Sequence, residues 1–234
     1  MANLFNVYLY QPILSVLIFI YENLSFHNLG IAIIILTVFI RVVLFPLFYK
    51  SAKDQSLMAR IQPKIKKIQE DLKHNKEEQT KALLSLYKEH RLNPFSGLFL
   101  VLIQLPILIA LYRVFLRELG SSVFDNKLLF GLNLGEKSLI IALIAAALQY
   151  FQGKLALPKK DKKTVKNDSP MASMGKTMVY IGPFLTVMIL AGLPAALGVY
   201  WATSTLFSVG QQVYINAKLN EKTEENGQSS RENK

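Results

Sequence analysis

The run LGIAIIILTVFIRVVLFPLFYK, residues 29–50, decides what kind of chain this is. It holds one charge, Arg41, in 22 residues. About 20 apolar residues at about 1.5 Å of rise each cross about 30 Å of hydrocarbon. The run therefore predicts a membrane-spanning helix with an arginine inside it. Working outward, 94–116, 137–153, 177–193 and 195–217 are further apolar runs, with Arg113 near the end of the first. Only Pro194 separates the last two, which predicts a tight antiparallel hairpin. The expectation is an all-α, polytopic protein with five membrane spans.

The composition supports that class. Hydrophobic residues make up 51% of 234, and mean hydropathy is +0.28, yet 27 residues are basic and the net charge is +11. Charge confined to blocks between uncharged runs marks a polytopic membrane chain. There are no cysteines, which excludes disulfides, cysteine-ligated metals and a cysteine-linked lipid anchor. Residues 1–28 contain no Lys or Arg, and no A-x-A-like site follows, so the start reads as mature protein rather than as a leader.

Charge sets the orientation. Residues 50–91 carry eleven Lys/Arg against six acids, and 154–176 carry seven against two. Residues 117–137 carry three of each. Basic residues concentrate on the cytoplasmic side, so 51–93 and 154–176 are predicted inside, and 117–136 and the N-terminus outside. Five spans then leave the C-terminus in the cytoplasm. On this reading the excess of basic residues marks a membrane side and not a nucleic-acid site.

Residues 4–21 are long enough to span. Asn6, Gln11 and Pro12 interrupt the stretch, however, and Glu22 follows. That mixture suits an amphipathic helix lying in the interface within the N-terminal segment 1–28. In 51–93, Leu57, Ile61, Ile65, Ile68 and Leu72 form one apolar stripe, KHNK (73–76) breaks it, and Ala82, Leu83, Leu86, Tyr87 and His90 resume a helical face. This predicts a cytoplasmic helical hairpin, with Pro63 kinking its first arm or starting a new segment. Residues 158–170 read as a flexible basic loop. Residues 218–234 are Glu-, Lys-, Asn- and Ser-rich and predict a disordered tail.

Arg41 lies nine residues before Lys50, roughly 13 Å along a helix from the cytoplasmic end. Its charge at that depth costs at least ~2.5–3.5 kcal/mol unless it is solvated or paired. The five runs contain no Asp or Glu in their interiors. Hydration in a cavity open to the cytoplasm is the favoured rescue. The alternative is snorkelling, for which a reach of roughly 6 Å falls short of the headgroups. Polar residues that could line such a cavity are Thr37, one turn before Arg41, with Gln104, Gln149 and Gln152. On the last span Tyr200, Ser204, Ser208 and Gln211 form a stripe at helical spacing. Each taken singly is an ordinary interhelical hydrogen-bonding residue worth about 0.6 kcal/mol. Their combination with Arg41 favours a wet groove.

No HExxH, GxSxG, paired carboxylates or Gly-rich phosphate loop is present, and His27, His74 and His90 have no ligand spacing. An enzyme is not expected, nor a metal or other cofactor. The absence of intramembrane acids disfavours proton-coupled transport.

The residues GIAIIILTVFIRVVLFPLFYKSAK (30–53), the QPKI, NP and IQLPI pieces within 61–115, and GLPAALGVYWATSTLFSVGQQ (192–212) resemble the YidC/Oxa/Alb family of membrane protein insertases over roughly residues 10–217. The resemblance implies a five-helix core around a hydrophilic groove open to the cytoplasm and to lipid and closed on the outside, with residues 4–24 as an amphipathic helix on the outer face. It implies that Arg41 is the groove charge with Thr37 its neighbour, that Gln104 lines the second span, and that Tyr200 and Trp201 contact substrate. The hairpin would receive substrate. Implied partners are nascent membrane proteins in the lipid bilayer, together with the Sec translocon, a targeting factor and the ribosome. The implied location is the bacterial inner membrane. The chain departs from some members in having no large extracytoplasmic domain, no lipobox cysteine and a nearly neutral tail. Ribosome contact would therefore fall to the hairpin and the basic loop. Two other readings compete: a small-anion channel or transporter, and a scaffold without transport. Neither explains both a 40-residue hairpin and an unpaired arginine.

Overall fold

A computed structural model of the protein describes residues 2–93, 95–157 and 170–232. Among them the chain is mostly helical. The basic segment 158–169, the heart of the predicted flexible loop, lies outside the described residues.

The N-terminus is helical throughout, as α1 (Ala2–Phe5), a π-helical turn (Asn6–Tyr10) and α2 (Gln11–Asn23). Tyr10, Leu17, Ile20 and Tyr21 are buried in the core, while Leu4, Val7, Tyr8 and Phe19 point outward. α3 (Leu29–Val43) starts at Asn28, whose side chain accepts from the Ile31 amide at 3.1 Å, a regular N-cap. The first apolar run is not one straight helix. α3 ends at Leu44, and α4 (Phe45–Asp71) leaves at 71°. Pro46, in the first turn of α4, supplies the reason: its ring and missing N–H prevent α3 from continuing through it. Pro63, by contrast, is carried inside the unbroken α4, so no new segment starts there.

α4 turns over residues 72–75 into α5 (Lys76–Glu89), which is capped by Asn75 accepting from the Glu78 amide. Ile65 and Leu86 are buried, and the rest of the stripe on α4 is half-buried, so the two arms pack through their apolar faces. The base of α4 is fastened to the last helix, α9 (Ala195–Glu232). Gln212 Nε2 donates to Ser56 Oγ at 2.7 Å, and Arg60 Nη1 donates to the Leu219 carbonyl at 3.0 Å. α9 runs on through the charged segment to Glu232, where the composition predicts disorder. Lys, Glu and Gln sustain a helix, and no proline stops it. The Ser56→Ala variant is expected to lose about 1 kcal/mol at this junction. Hydrogen exchange of α4 amides should then rise while exchange in the helix over 139–156 stays unchanged.

α6 (Ser96–Glu118) leads to a loop holding a two-stranded hairpin, β1 (Leu128–Leu129) and β2 (Leu132–Asn133). α7 (Leu139–Ala156), capped by Ser138, packs on α8 (Pro170–Leu190) and α9. The α8–α9 turn is tied to the α6–α7 loop: Ala195 N donates to the Glu136 carbonyl at 2.7 Å and Ala196 N to the Leu134 carbonyl at 3.0 Å.

By length and hydropathy alone, among the described residues, Leu139–Ala156 could cross a membrane, as could the bent pair α3–α4. Thr177–Leu190 is a shorter apolar stretch. The buried side of α9 carries Ser204, Thr205, Gln211 and Gln212, a helix whose polar residues face inward. Outward-facing Val38, Phe39, Val42, Val43, Leu143, Ile144, Phe184 and Met188 give the helices apolar outer faces.

Candidate functional site: a buried arginine among hydroxyls and amides

Arg41 sits in the last turn of α3 and is 8% exposed. Its Nε donates to Ser204 Oγ at 2.8 Å, and Nη2 donates to the same oxygen. The guanidinium carbon lies 4.2 Å from the centre of the Phe48 ring. Where the sequence predicts water as the rescue of this charge, the structure supplies a hydroxyl and an aromatic face. A hydrogen bond to a charged group is worth ~1.5–3 kcal/mol and a desolvated cation–π contact ~2 kcal/mol, together comparable with the ~2.5–3.5 kcal/mol placement cost. Neither partner neutralises the charge. Among the described residues the ion pairs within 4 Å are Lys66–Glu70 and Lys81–Glu77, both on the hairpin.

The bend at Leu44 makes the Phe48 contact possible, since it turns the first residues of α4 beneath the end of α3. Ser204 comes from α9, 163 residues away in sequence. One turn earlier on α9, the Tyr200 hydroxyl accepts from Gln104 Nε2 of α6. Three helices, α3, α6 and α9, thus contribute one continuous set of polar groups. Ser208 Oγ extends it by donating to the Ser204 carbonyl at 3.1 Å. Gln211, on the same face, is buried, and its Nε2 has no hydrogen-bond partner.

Other predicted site residues fall elsewhere. Thr37 is buried on α3, but its hydroxyl donates to the Ile33 carbonyl at 2.6 Å and so is satisfied within its own helix. Gln149 faces α8, where its Oε1 accepts from Thr186 Oγ1. It joins two helices and does not meet Arg41. Trp201 is half-buried against the core beside Tyr200. Phe48 and Thr186 are not singled out by the sequence. Phe48 looks like one more apolar residue of the first run, and only its seven-residue spacing from Arg41 could have flagged it.

The N-terminal helices are stitched by polar contacts to the end of α6 and to the loop after it. Tyr10 Oη donates to Glu118 Oε1 at 3.0 Å, and burial, with this carboxylate beside it, pushes the Tyr10 hydroxyl up from its ordinary pKa. Arg113 lies over the Phe5 ring at 4.7 Å and Arg117 over Tyr10 at 5.3 Å. The Tyr21 hydroxyl accepts from the amides of Asp125 and Asn126 at 3.0 and 3.1 Å.

Tyr200→Phe removes the acceptor for Gln104 but keeps the ring. The expected stability loss is about 0.6 kcal/mol, rising toward 2 if the amide finds no new partner, read from thermal unfolding in detergent.

A mostly helical chain with apolar outer faces and an arginine buried among hydroxyls and amides falls in the class of helical membrane proteins with a polar interior. The profile of the 60Kd inner membrane protein family matches residues 19–223. The chain is 36% identical over 197 residues to the membrane protein insertase YidC of Clostridium tetani, covering 84% of each chain. It is 32% identical over 215 residues to that of Fusobacterium nucleatum, covering 90% of this chain and 98% of the relative. Against the longer Pelobacter propionicus insertase YidC it is 31% identical over 225 residues, and the match spans 39% of that relative. The chain belongs to the 60Kd inner membrane protein family (YidC/Oxa1), whose members are membrane-embedded insertases.

Proposed function

We propose that this protein inserts newly made membrane proteins into the bilayer and helps them fold, without a cofactor. The observation that carries this reading is Arg41, a buried cation bonded to neutral Ser204 with no carboxylate beside it among the described residues. Such a charge retains most of its attraction for an incoming acidic or polar segment in a low-dielectric wall. The Gln104–Tyr200 pair, Ser204 and Gln211 provide exchangeable hydrogen-bonding groups along the path. The five spans are α3, α6, α7, α8 and the first part of α9, around a groove open to the cytoplasm and to lipid. The α1–α2 segment lies at the outer surface, with the N-terminus outside. The hairpin α4–α5 and the C-terminus are cytoplasmic, where the Sec translocon, a targeting factor or the ribosome would meet the chain. The substrate's own helix leaves along the lipid-facing side, driven by burial of its apolar surface.

The test is reconstitution in liposomes with a small one- or two-span substrate bearing a short acidic outer segment. Membrane-spanning substrate protected from protease, above the level of empty vesicles, is the expected result. Protection equal to empty vesicles, with the protein shown to be folded, would reject unaided insertion. A solute-flux assay on the same vesicles would then test the anion-transport alternative.

A further inference from the structure

Two phenylalanines in the outer loops are almost wholly bare: Phe26 is 91% exposed and Phe130 is 95% exposed. Both hold left-handed backbone, with φ of 52° and 48°. His27 beside the first has φ 56°, and Gly131 after the second has φ 80°. Left-handed backbone is unfavourable for a bulky aromatic residue. It persists here because the surrounding loop is fixed on both sides. Leu29 N donates to the Asn126 carbonyl at 3.1 Å, and Asn28 Nδ2 donates to the Leu128 carbonyl at 2.9 Å. Tyr21 holds residues 125 and 126 through its hydroxyl and packs edge-on against His27 and Phe124. Leu129, next to Phe130, is buried against α3. The loop that carries Phe26 is thus bonded directly to the segment that leads into Phe130, and both rings are held outward.

We propose that Phe26 and Phe130 are a pair of lipid anchors that seat the outer loops in the headgroup–acyl boundary of the outer leaflet. The proposal rests on the orientation given above, in which these loops are on the outer side. Two features favour lipid over a protein partner. Exposed apolar residues that precede the rings in sequence, Phe19 on α2, Leu24 just past its end and Leu128 on the hairpin, lead toward the apolar outer faces of the helices. Lys127 turns inward and donates to the carbonyls of Leu119 and Ser121, which keeps its charge off the surface beside Phe130. Outward phenylalanines on an interfacial surface bury their rings at the headgroup–acyl boundary. Such anchoring would hold the closed outer end level with the membrane while the cytoplasmic side works.

Tryptophan fluorescence in proteoliposomes tests this. The chain's single tryptophan, Trp201, is replaced by Phe to leave one emitter, and Phe26→Trp, Phe130→Trp or Leu143→Trp is added. Leu143 is an outward residue of α7 and reports on the membrane placement itself. The expected result is blue-shifted emission from Trp at 26 and 130. Lipids brominated near the headgroup should remove most of it, and aqueous iodide should have little effect. Emission at 26 and 130 that iodide quenches and brominated lipid does not, with Leu143→Trp quenched by lipid brominated deep in the acyl chains, overturns the anchors and leaves the membrane reading intact. Shielding that grows with protein-to-lipid ratio, without lipid quenching, would assign the rings to a second copy and also overturn the proposal. If Leu143→Trp escapes deep bromines, the orientation beneath the proposal fails and the anchors fail with it.

Discussion

Arg41→Ala is expected to abolish insertion of substrates whose outer segment carries acidic residues, and to slow much less the insertion of substrates whose outer segment is neutral. Arg41 is held by one hydroxyl, Ser204, and one ring, Phe48, and both are neutral. Its positive charge therefore faces the interior uncancelled. An aspartate carried to that depth costs ~2.5–3.5 kcal/mol, and a cation that offsets most of this cost is worth up to roughly a hundredfold in rate. Protease protection in liposomes, compared for substrates with acidic and neutralised outer segments, reads the difference directly. Arg41→Lys should retain part of the activity, since the charge survives. It should not reach wild type, because an ammonium cannot match the paired Nε and Nη2 donation to Ser204 or stack flat on Phe48. Equal loss for both kinds of substrate would make Arg41 a structural residue and remove it from substrate attraction.

Gly30→Ala should loosen the packing of α3 on the β1–β2 hairpin by about 1–3 kcal/mol, the usual penalty of forcing a methyl into a filled site. A Cβ at position 30 would stand 2.6 Å from Leu129 Cδ1, 2.7 Å from its Cβ and 2.8 Å from its Cγ. Because Leu129 Cβ is fixed to the β1 backbone, a rotamer change cannot clear the clash. The hairpin must move off α3, which strains the bonds from Leu29 to Asn126 and from Asn28 to Leu128. Thermal unfolding in detergent should show the loss, and hydrogen exchange of the Leu29 amide, bonded to the Asn126 carbonyl, should rise with it. Unchanged exchange there would mean that the α3–β1 contact is not what gives way. The same close approach occurs between Gly198 of α9 and Ile141 of α7, whose Cγ2 lies 2.6 Å from the missing Cβ. There the obstacle is the branch methyl on Ile141 Cβ, which moves only by a χ1 change that helical isoleucine resists, so a comparable loss is expected.

Hydropathy and spacing are local properties, and what depends on them was readable from the chain alone. The apolar runs, the amphipathic stripe Leu57–Ile61–Ile65–Ile68–Leu72 and the break after it all follow from a few consecutive turns of helix. The distance from Arg41 to Lys50 along one straight helix does not hold, because α3 ends at Leu44 and α4 leaves at 71°. The family's motifs were legible for the same reason, being short and contiguous. Pro63 sits inside an unbroken α4, so no new segment starts there, and α9 runs as helix through the charged C-terminal segment, whose Lys, Glu and Gln are good helix formers. Tertiary structure alone decided what Arg41 meets. Thr37, its neighbour in sequence, is satisfied by its own helix, and Gln149 belongs to the α7–α8 contact. Ser204 reaches Arg41 across 163 residues, and Phe48 reaches it only because Pro46 ends one helix and the next sets off at 71°. A charge needs partners in space, and no pattern along a single helix says which residue of another helix will stand within 3 Å of it.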